Sequence, residues 1–453
     1  MCMERLSILL KAAMVAFCFL SLSCESKPTA PSSDQDTTFV NDYRTIWLAT
    51  NASRLRSVDP SDLDFSDLQS LKAAVGNSRL VMLGEQSHGH GKTFLAKTRI
   101  VKFLHEEMGF DVLAFESGLF DCHKAWEFLQ NGENPVTAVR RGVYAIWTMS
   151  DEFQPVIDYI GQAAQTSQPL ELAGFDCQAS SSASQDFLTA DFAKFLTSVN
   201  STFPARPDWP SFRNKLDSLT RYLFLENKLS LSEQAVFIAT LDSLLGQLDS
   251  LSATALTREM TFWLQVLRSV KAEGLSQFRT AEDPNNLGPV LNIRDAQMAD
   301  NLLWLSNIWY PKRKIIVWAA TSHVMHNEGQ IDTMDPSYSY SGYTTMGEIV
   351  WQAMGDNAYA LAFTAYEGSA GLYNEIPHDI GKASTQSLEN LMRSGNLQSA
   401  FVDFRSLSQG GEWLRGTNVS QPVHDIPMRA NWTAVFDGIV FTRTMTPCTA
   451  AKR

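Results

Sequence analysis

The stretch Glu85-Gln86-Ser87-His88-Gly89-His90-Gly91-Lys92 concentrates side chains that can hold and move protons. Glu85 and His88 share one loop, so the carboxylate can orient the imidazole and stabilise its protonated form, leaving the second ring nitrogen to take a proton from water. Such a pair is a general base. For any isolated loop histidine the plainer reading is a turn residue at the start of the next helix, and His88 and His90 taken singly would be read that way. Gly91-Lys92-Thr93 behind a strand invites comparison with a phosphate-binding loop, but that loop needs a glycine five places before Gly91, and residue 86 is Gln. A covalent route would need an activated Ser or Cys. The chain has no G-x-S-x-G elbow, and Ser87, adjacent to His88 in sequence, is a weak nucleophile candidate. Direct attack by water, with no cofactor, is the chemistry these residues favour.

A metal centre drawn from His88, His90, Glu85, Glu116 and His323 is the less favoured option. His105-Glu106-Glu107-Met108 lacks the second histidine of H-E-x-x-H, and His-x-His alone is a weak signal, so no metal ligand is assigned. Hydrolysis by water still needs something cationic to stabilise the oxyanion. Lys97 and Arg294 are the candidates; salt bridges are their structural alternative, for Arg294 with Asp295 or Glu116.

The elements around these residues must bring them together. Arg79 to Leu83 is a short apolar run ending at Gly84, the pattern of a buried strand. From Lys92 to Met108 apolar residues recur at Phe94, Val101, Leu104 and Met108, one face of a helix that Gly109 ends. Val112 to Phe115 is a second buried strand, followed at once by Glu116. Strand, helix and strand within forty residues make a βαβ unit with parallel strands and a right-handed crossover, so Glu85 and Glu116 share one sheet edge. Ligands of open parallel sheets sit beyond the carboxyl ends of the strands. Leu170 to Ala173 leads likewise into Gly174-Phe175-Asp176, Ile315 to Ala319 into Ala320-Thr321-Ser322-His323, and Tyr359 to Phe363 into Thr364-Ala365-Tyr366-Glu367. Between about 184 and 278 long helical periods replace strand signals, broken by Pro204, Pro207 and Pro210. Helices are expected around Leu216 to Glu226, Ser232 to Leu251 and Leu256 to Ala272, forming an all-helical insertion over the sheet edge. The fold class is α/β, a mainly parallel sheet flanked by helices, over residues 43–446.

Composition agrees with a folded enzyme-sized domain. Of 453 residues, 44% are apolar and 19% charged, with 26 Phe and 11 Trp, enough to bury a sizeable core. A formal charge of -12 argues against a nucleic-acid partner and against anionic lipid surfaces. Residues 1–24 read as a secretory signal: Arg5 and Lys11 precede the apolar Ala12 to Leu20, and Ser21-Leu22-Ser23-Cys24 follows. The stretch is too short to span a bilayer. It resembles a bacterial lipoprotein signal with Cys24 as the lipid anchor, though the leucine lies one place off that pattern, which leaves simple cleavage and release open. Residues 25–42, rich in Ser, Thr, Pro and Asp, read as a flexible tether. The expected product is exported, membrane-anchored or periplasmic, touching the membrane only through Cys24. Cys122, Cys177 and Cys448 remain, with no C-x-x-C spacing and no chemistry assigned.

Several ordered motifs carry a resemblance. Leu83-Gly84-Glu85-Gln86-Ser87-His88-Gly89, the helix bearing Lys97, Gly109-Phe110 and the strand ending in Glu116 look like the opening of the erythromycin esterase family. Arg294-Asp295-Ala296 with Met298-Ala299 and Asn301, Trp318-Ala319 through His323-Val324, Met346-Gly347-Glu348, Gly355, Gly368 and Phe436-Asp437-Gly438 also resemble that family, so the similarity runs from about Leu80 to the last strand. It implies hydrolysis of a carboxylic ester or a macrolide-type lactone, a chemistry that inactivates an antibiotic, with His88 as general base, Glu85, Glu116 and His323 in the active site, and Arg294 lining the cleft. Two positions depart from the pattern. Lys97 stands where the named esterases often have arginine, losing the two-pronged contact. Ala320 and Thr321 stand where the family commonly has His and Asn, so either His326 or another group takes that place or the substrate is not a macrolide, which is the favoured outcome. The alternatives are a metal-dependent hydrolase and a non-catalytic, surface-tethered small-molecule binding protein of the same fold.

Overall fold

The computed structural model describes residues 41–253, 256–335 and 339–452. The expected signal, Cys24 and nearly all of the expected tether lie outside the described residues. Strands, in chain order, are β1 (Ser53–Arg54), β2 (Leu80–Glu85), β3 (Val112–Gly118), β4 (Glu171–Asp176), β5 (Ile315–Ala320), β6 (Ala358–Ala370), β7 (His378–Asp379), β8 (Ser399–Asp403), β9 (Asn418–Ser420), β10 (Met428–Ala430) and β11 (Gly438–Met445). The main sheet has the order β1-β8-β11-β6-β2-β5-β3-β4, with β7 added to β6. From β11 to β4 every neighbouring pair is parallel, while β8 and β1 close the far edge antiparallel. Strands covered on both faces read as continuous apolar runs. Alternate residues enter two separate cores: Leu80, Met82, Val112 and Val317 one, Val81, Leu83, Leu113 and Trp318 the other.

The expected βαβ unit is present, with helix α1 (Gly91–Met108) between β2 and β3 and Gly109 at φ +69 ending it. Its two strands are not neighbours. β5, more than two hundred residues later, lies between them, Ile315 pairing with both Leu80 and Val112. β6 runs to Ala370, so the polar Thr364-Ala365-Tyr366-Glu367 lies inside the strand rather than after it, held by pairing with β11 through Gly368.

Helices fill the stretch from 184 to 278, but their limits differ from the apolar pattern. The segment expected from Leu216 to Glu226 is two helices, Trp209–Thr220 and Leu223–Glu226, interrupted by Tyr222 at φ +56. Pro210 sits in the first turn of the former, where its missing N–H costs nothing. Helix α2 (Leu231–Ser252) matches its expected limits closely, and α3 (Arg258–Glu282) continues well past Ala272. Its polar Gln265, Ser269, Glu273 and Gln277 are buried and hydrogen-bonded, so an apolar count undervalues that face. The chain beyond β11 does not leave the domain at residue 446: Pro447 bridges His90 and Ala450 bridges Ser150. Cys122, Cys177 and Cys448 are free and buried.

Candidate active site

The carboxyl ends of β2, β3, β4 and β5 bring acids, an arginine and imidazoles to one edge. Glu85 is the last residue of β2. Its Oε1 accepts from His88 Nδ1 at 3.1 Å and from Trp147 Nε1 at 2.8 Å, and its Oε2 takes an ion pair with Lys97. In the neutral ring an Nδ1 facing a carboxylate carries the hydrogen, which leaves Nε2 as the acceptor. Trp147 also meets the His88 ring edge to face at 4.9 Å. Indole and carboxylate therefore fix the imidazole in one orientation, while 17% of its side chain stays exposed.

Lys97 lies wholly inside the protein on α1, donates to the Ala319 carbonyl at 3.2 Å and stands 4.2 Å over the Trp318 ring. Burial pushes its pKa down to about 8, against the pull of Glu85. Lys97 was expected to face the oxyanion; here its ammonium is wholly buried and paired with the Glu85 carboxylate.

Glu116 projects from β3 where the pairing with β4 shifts register between Phe115 and Gly118, an irregularity that re-aims a side chain. Its Oε2 accepts from the Ala320 backbone N–H at 2.9 Å, and its Oε1 from Arg294 Nη2 at 2.8 Å. Arg294, on helix α4 (Gly288–Trp304), also grips Asp176 at the end of β4, through Nη2 at 2.7 Å and Nε at 3.2 Å. The salt bridge expected with Glu116 is present. The one expected with Asp295 is replaced by Asp176, because Asp295 is taken by His323.

His323 stands on the single-turn helix Thr321–Val324 that follows β5. Its Nδ1 is 2.9 Å from Asp295 Oδ1 and its Nε2 3.3 Å from Glu116 Oε1. Burial alone would discharge the ring, but Asp295 and Glu116 outweigh it and push the pKa up to about 10. His323 is thus an imidazolium, and Arg294 Nη1, 3.2 Å from Nε2, is a second donor packed beside it rather than a hydrogen-bond partner. Glu116, for its part, is held well below the ordinary carboxylate range: burial opposes this, and His323, Arg294 and His88 overcome it. Tyr343 Oη at 2.8 Å and the Met346 N–H at 2.9 Å complete the shell of Asp295.

The structure therefore gathers Glu85, His88, Glu116, Arg294 and His323 at one edge. His326 does not join them: it stacks on Trp351 at 4.9 Å, takes a bond from Asn327 and does not replace an imidazole at Ala320. Asp176 was visible in the sequence as an acid after a strand but had no role. Trp147 gave no signal, since it joins the site from a distant short helix. Among the described residues no group of three or more His, Cys, Asp or Glu is arranged to hold a metal ion. A separate groove of about 810 Å³, lined by Phe120, Lys124, Glu171, Arg258 and Trp309 among others, shares none of the site residues.

Comparisons with known proteins follow the same outline. The family model described as Erythromycin esterase matches residues 105–445, a span that takes in Glu116, Asp176, Arg294 and His323 and starts beyond the segment from Glu85 to Lys97. The Bacillus subtilis (strain 168) protein YbfO is 24% identical, covering 99% of this chain and 100% of its own. Erythromycin esterase type II of Escherichia coli is 21% identical over 87% of this chain and 96% of that protein. A solved structure of an erythromycin esterase mutant, EreC, in its open conformation superimposes with a TM-score of 0.65 at 17% identity, covering 87% of this chain and 98% of that one.

Proposed function

The chain belongs to the erythromycin esterase family, a family of hydrolases, and on that premise we propose that it hydrolyses a carboxylic ester or lactone by water activated on His88. The observation that carries this reading is the His88 ring itself, bonded to Glu85 through Nδ1 and still part-exposed. Water approaching Nε2 gives it a proton as its oxygen bonds to the acyl carbon. The resulting imidazolium is stabilised by Glu85, which keeps its own charge. Negative charge developing on the carbonyl oxygen meets the cationic pair His323 and Arg294. Collapse of the tetrahedral intermediate expels an alkoxide, which recovers the proton from His88.

Ala320 at the end of β5 supports a substrate other than a macrolide, an ester or lactone read by a differently shaped cleft. The amino-terminal pattern ending at Cys24 supports export, with the enzyme held at a membrane by its lipid or released into the periplasm. The test is His88→Ala, assayed on an ester and lactone panel with ring opening followed by mass spectrometry. Turnover should fall by about 10²–10⁴-fold, the usual worth of a general base, with an unchanged melting temperature. Near-normal rates in the variant would remove His88 from the mechanism.

A further inference from the structure

One imidazole at this edge has no role in the mechanism above. β9 and β10 pair as an antiparallel hairpin outside the main sheet, and its loop carries His424 and Asp425 in consecutive left-handed conformations, φ +53 and +55. Residues with a Cβ adopt that region at a cost, and such cost is tolerated where surrounding structure imposes it, frequently at functional sites. Here the loop is tied to the catalytic loop from both sides. The His424 N–H donates to the Gln86 carbonyl at 3.0 Å, and the Asp425 carboxylate lies 2.9 Å from His90 Nε2. His90 is used up by this, its Nδ1 being 2.8 Å from Ser87 Oγ.

His424 as a residue is half-buried. Its Nδ1 is wholly buried and has no hydrogen-bond partner among the described residues. A hydrogen on that nitrogen would be an orphan donor shut away from water, so the neutral ring carries its hydrogen on Nε2. Burial, followed by the charges of His88, His90 and His323 and opposed by Asp425, pushes the ring's pKa down to about 4, so it stays neutral where the enzyme would work. Lys97, which the sequence offered as the oxyanion's partner, is hidden behind Glu85. The site therefore lacks that donor, while the loop bonded to the Gln86 carbonyl carries an unused one within electrostatic range of His88.

We propose that His424 is a further catalytic residue, whose Nε2–H donates a hydrogen bond to the carbonyl oxygen of the ester as water adds. This rests on the ester-hydrolysis reading and deepens it. The water oxygen bonds to the acyl carbon, the C=O π pair moves to oxygen, and the water proton goes to His88. His424 transfers no proton and serves as a neutral electrophile.

The left-handed backbone supplies a discriminating variant. His424→Gly removes the ring and suits φ +53 better than histidine does. It should keep or raise the melting temperature while kcat falls on the order of a hundredfold, with KM nearly unchanged. His424→Asn, also at home in the left-handed region, returns an N–H donor and should recover part of the rate. A His424→Gly enzyme with kcat within twofold of the parent, or one that loses rate only together with melting temperature, would overturn the proposal. Nitrogen-15 NMR of the imidazoles, with His424 assigned by its loss in the glycine variant, should show a neutral Nε2–H tautomer at pH 6 in the ligand-free protein; a hydrogen on Nδ1 or a charged ring overturns it as well. If the parent enzyme turns over no ester or lactone, the hydrolase reading fails and takes this role with it. If the parent works, His88→Ala is dead and His424→Gly is normal, only the role of His424 fails.

Discussion

At the scale of single residues, burial and neighbouring charge set the states of His323, His424 and Lys97 apart. His323 is held charged by two carboxylates, His424 is held neutral, and Lys97 is charged only below about pH 8. The stability consequences of Lys97 and His323 have opposite signs. His323, raised from 6.5 to about 10, contributes stability that is complete below pH 6.5 and lost as pH rises through 10. Lys97, lowered from 10.5 to about 8, binds fewer protons folded than unfolded between those values, so its contribution to stability rises with pH across that window. Activity should behave differently, because deprotonated Lys97 leaves Glu85 without its counter-ion. We expect kcat/KM to decline above about pH 8 and the decline to move to higher pH in Lys97→Arg, whose guanidinium stays charged. A pH profile with the same alkaline limb in both enzymes would assign that limb to another group. Lys97→Met should be far worse for stability, by roughly 3–5 kcal/mol, since it strands a buried carboxylate.

At the scale of elements, the site depends on how closely the helix Thr321–Val324 approaches β2. A Cβ on Gly84 would lie 2.6 Å from Val324 Cγ2 and 2.9 Å from the Thr321 backbone, and Thr321 Oγ1 bonds the Gly84 carbonyl at 2.7 Å. Gly84→Ala must push that helix outward, at a cost of about 1–3 kcal/mol. It should lower the melting temperature and, by drawing His323 off Asp295, reduce kcat; thermal unfolding and kinetics on the same preparation check both. This approach also marks what a sequence reader can and cannot see. Glu85, His88 and Glu116 were legible because β2, α1 and β3 are contiguous, and local periodicity together with the parallel-strand rule puts them on one edge. The insertion of β5 between β2 and β3 was not, because its register is set by residues far away in the chain. Arg294 was legible only as a cation beside acids; its true second partner, Asp176, arrives through β4. His424 was hidden because it lies in a short loop between Pro422 and Pro427, where neither helical nor strand periodicity reports a position.

At the scale of the whole molecule, the last residues of the chain hold the first part of the site. After β11 the backbone turns across the loop that carries His88: Lys92 N donates to the Thr446 carbonyl at 3.4 Å, and Cys448 N donates to the Gly371 carbonyl at 3.0 Å and to that of Gly89 at 3.3 Å. It then reaches the segment beside Trp147, with Asp151 N bonding the Thr449 carbonyl and Ala451 N the Met149 carbonyl, both at 2.8 Å. Gly91 makes room for this crossing, since a Cβ there would stand 2.4 Å from the Pro447 carbonyl oxygen. The segment thus ties the His88 loop to the element that supplies the indole bonded to Glu85, two parts that share no helix or strand. Ending the chain at Thr446 removes all of these ties except the bond from Lys92 and leaves every strand of the parallel sheet intact. Hydrogen exchange should then accelerate in residues 86–92 and 145–151 while the amides of β2 and β5 keep their protection, and kcat should fall because His88 loses its fixed orientation. Unchanged exchange in those two segments would mean that the loop is held by the sheet edge and the β9–β10 hairpin alone, and that the tail merely covers it.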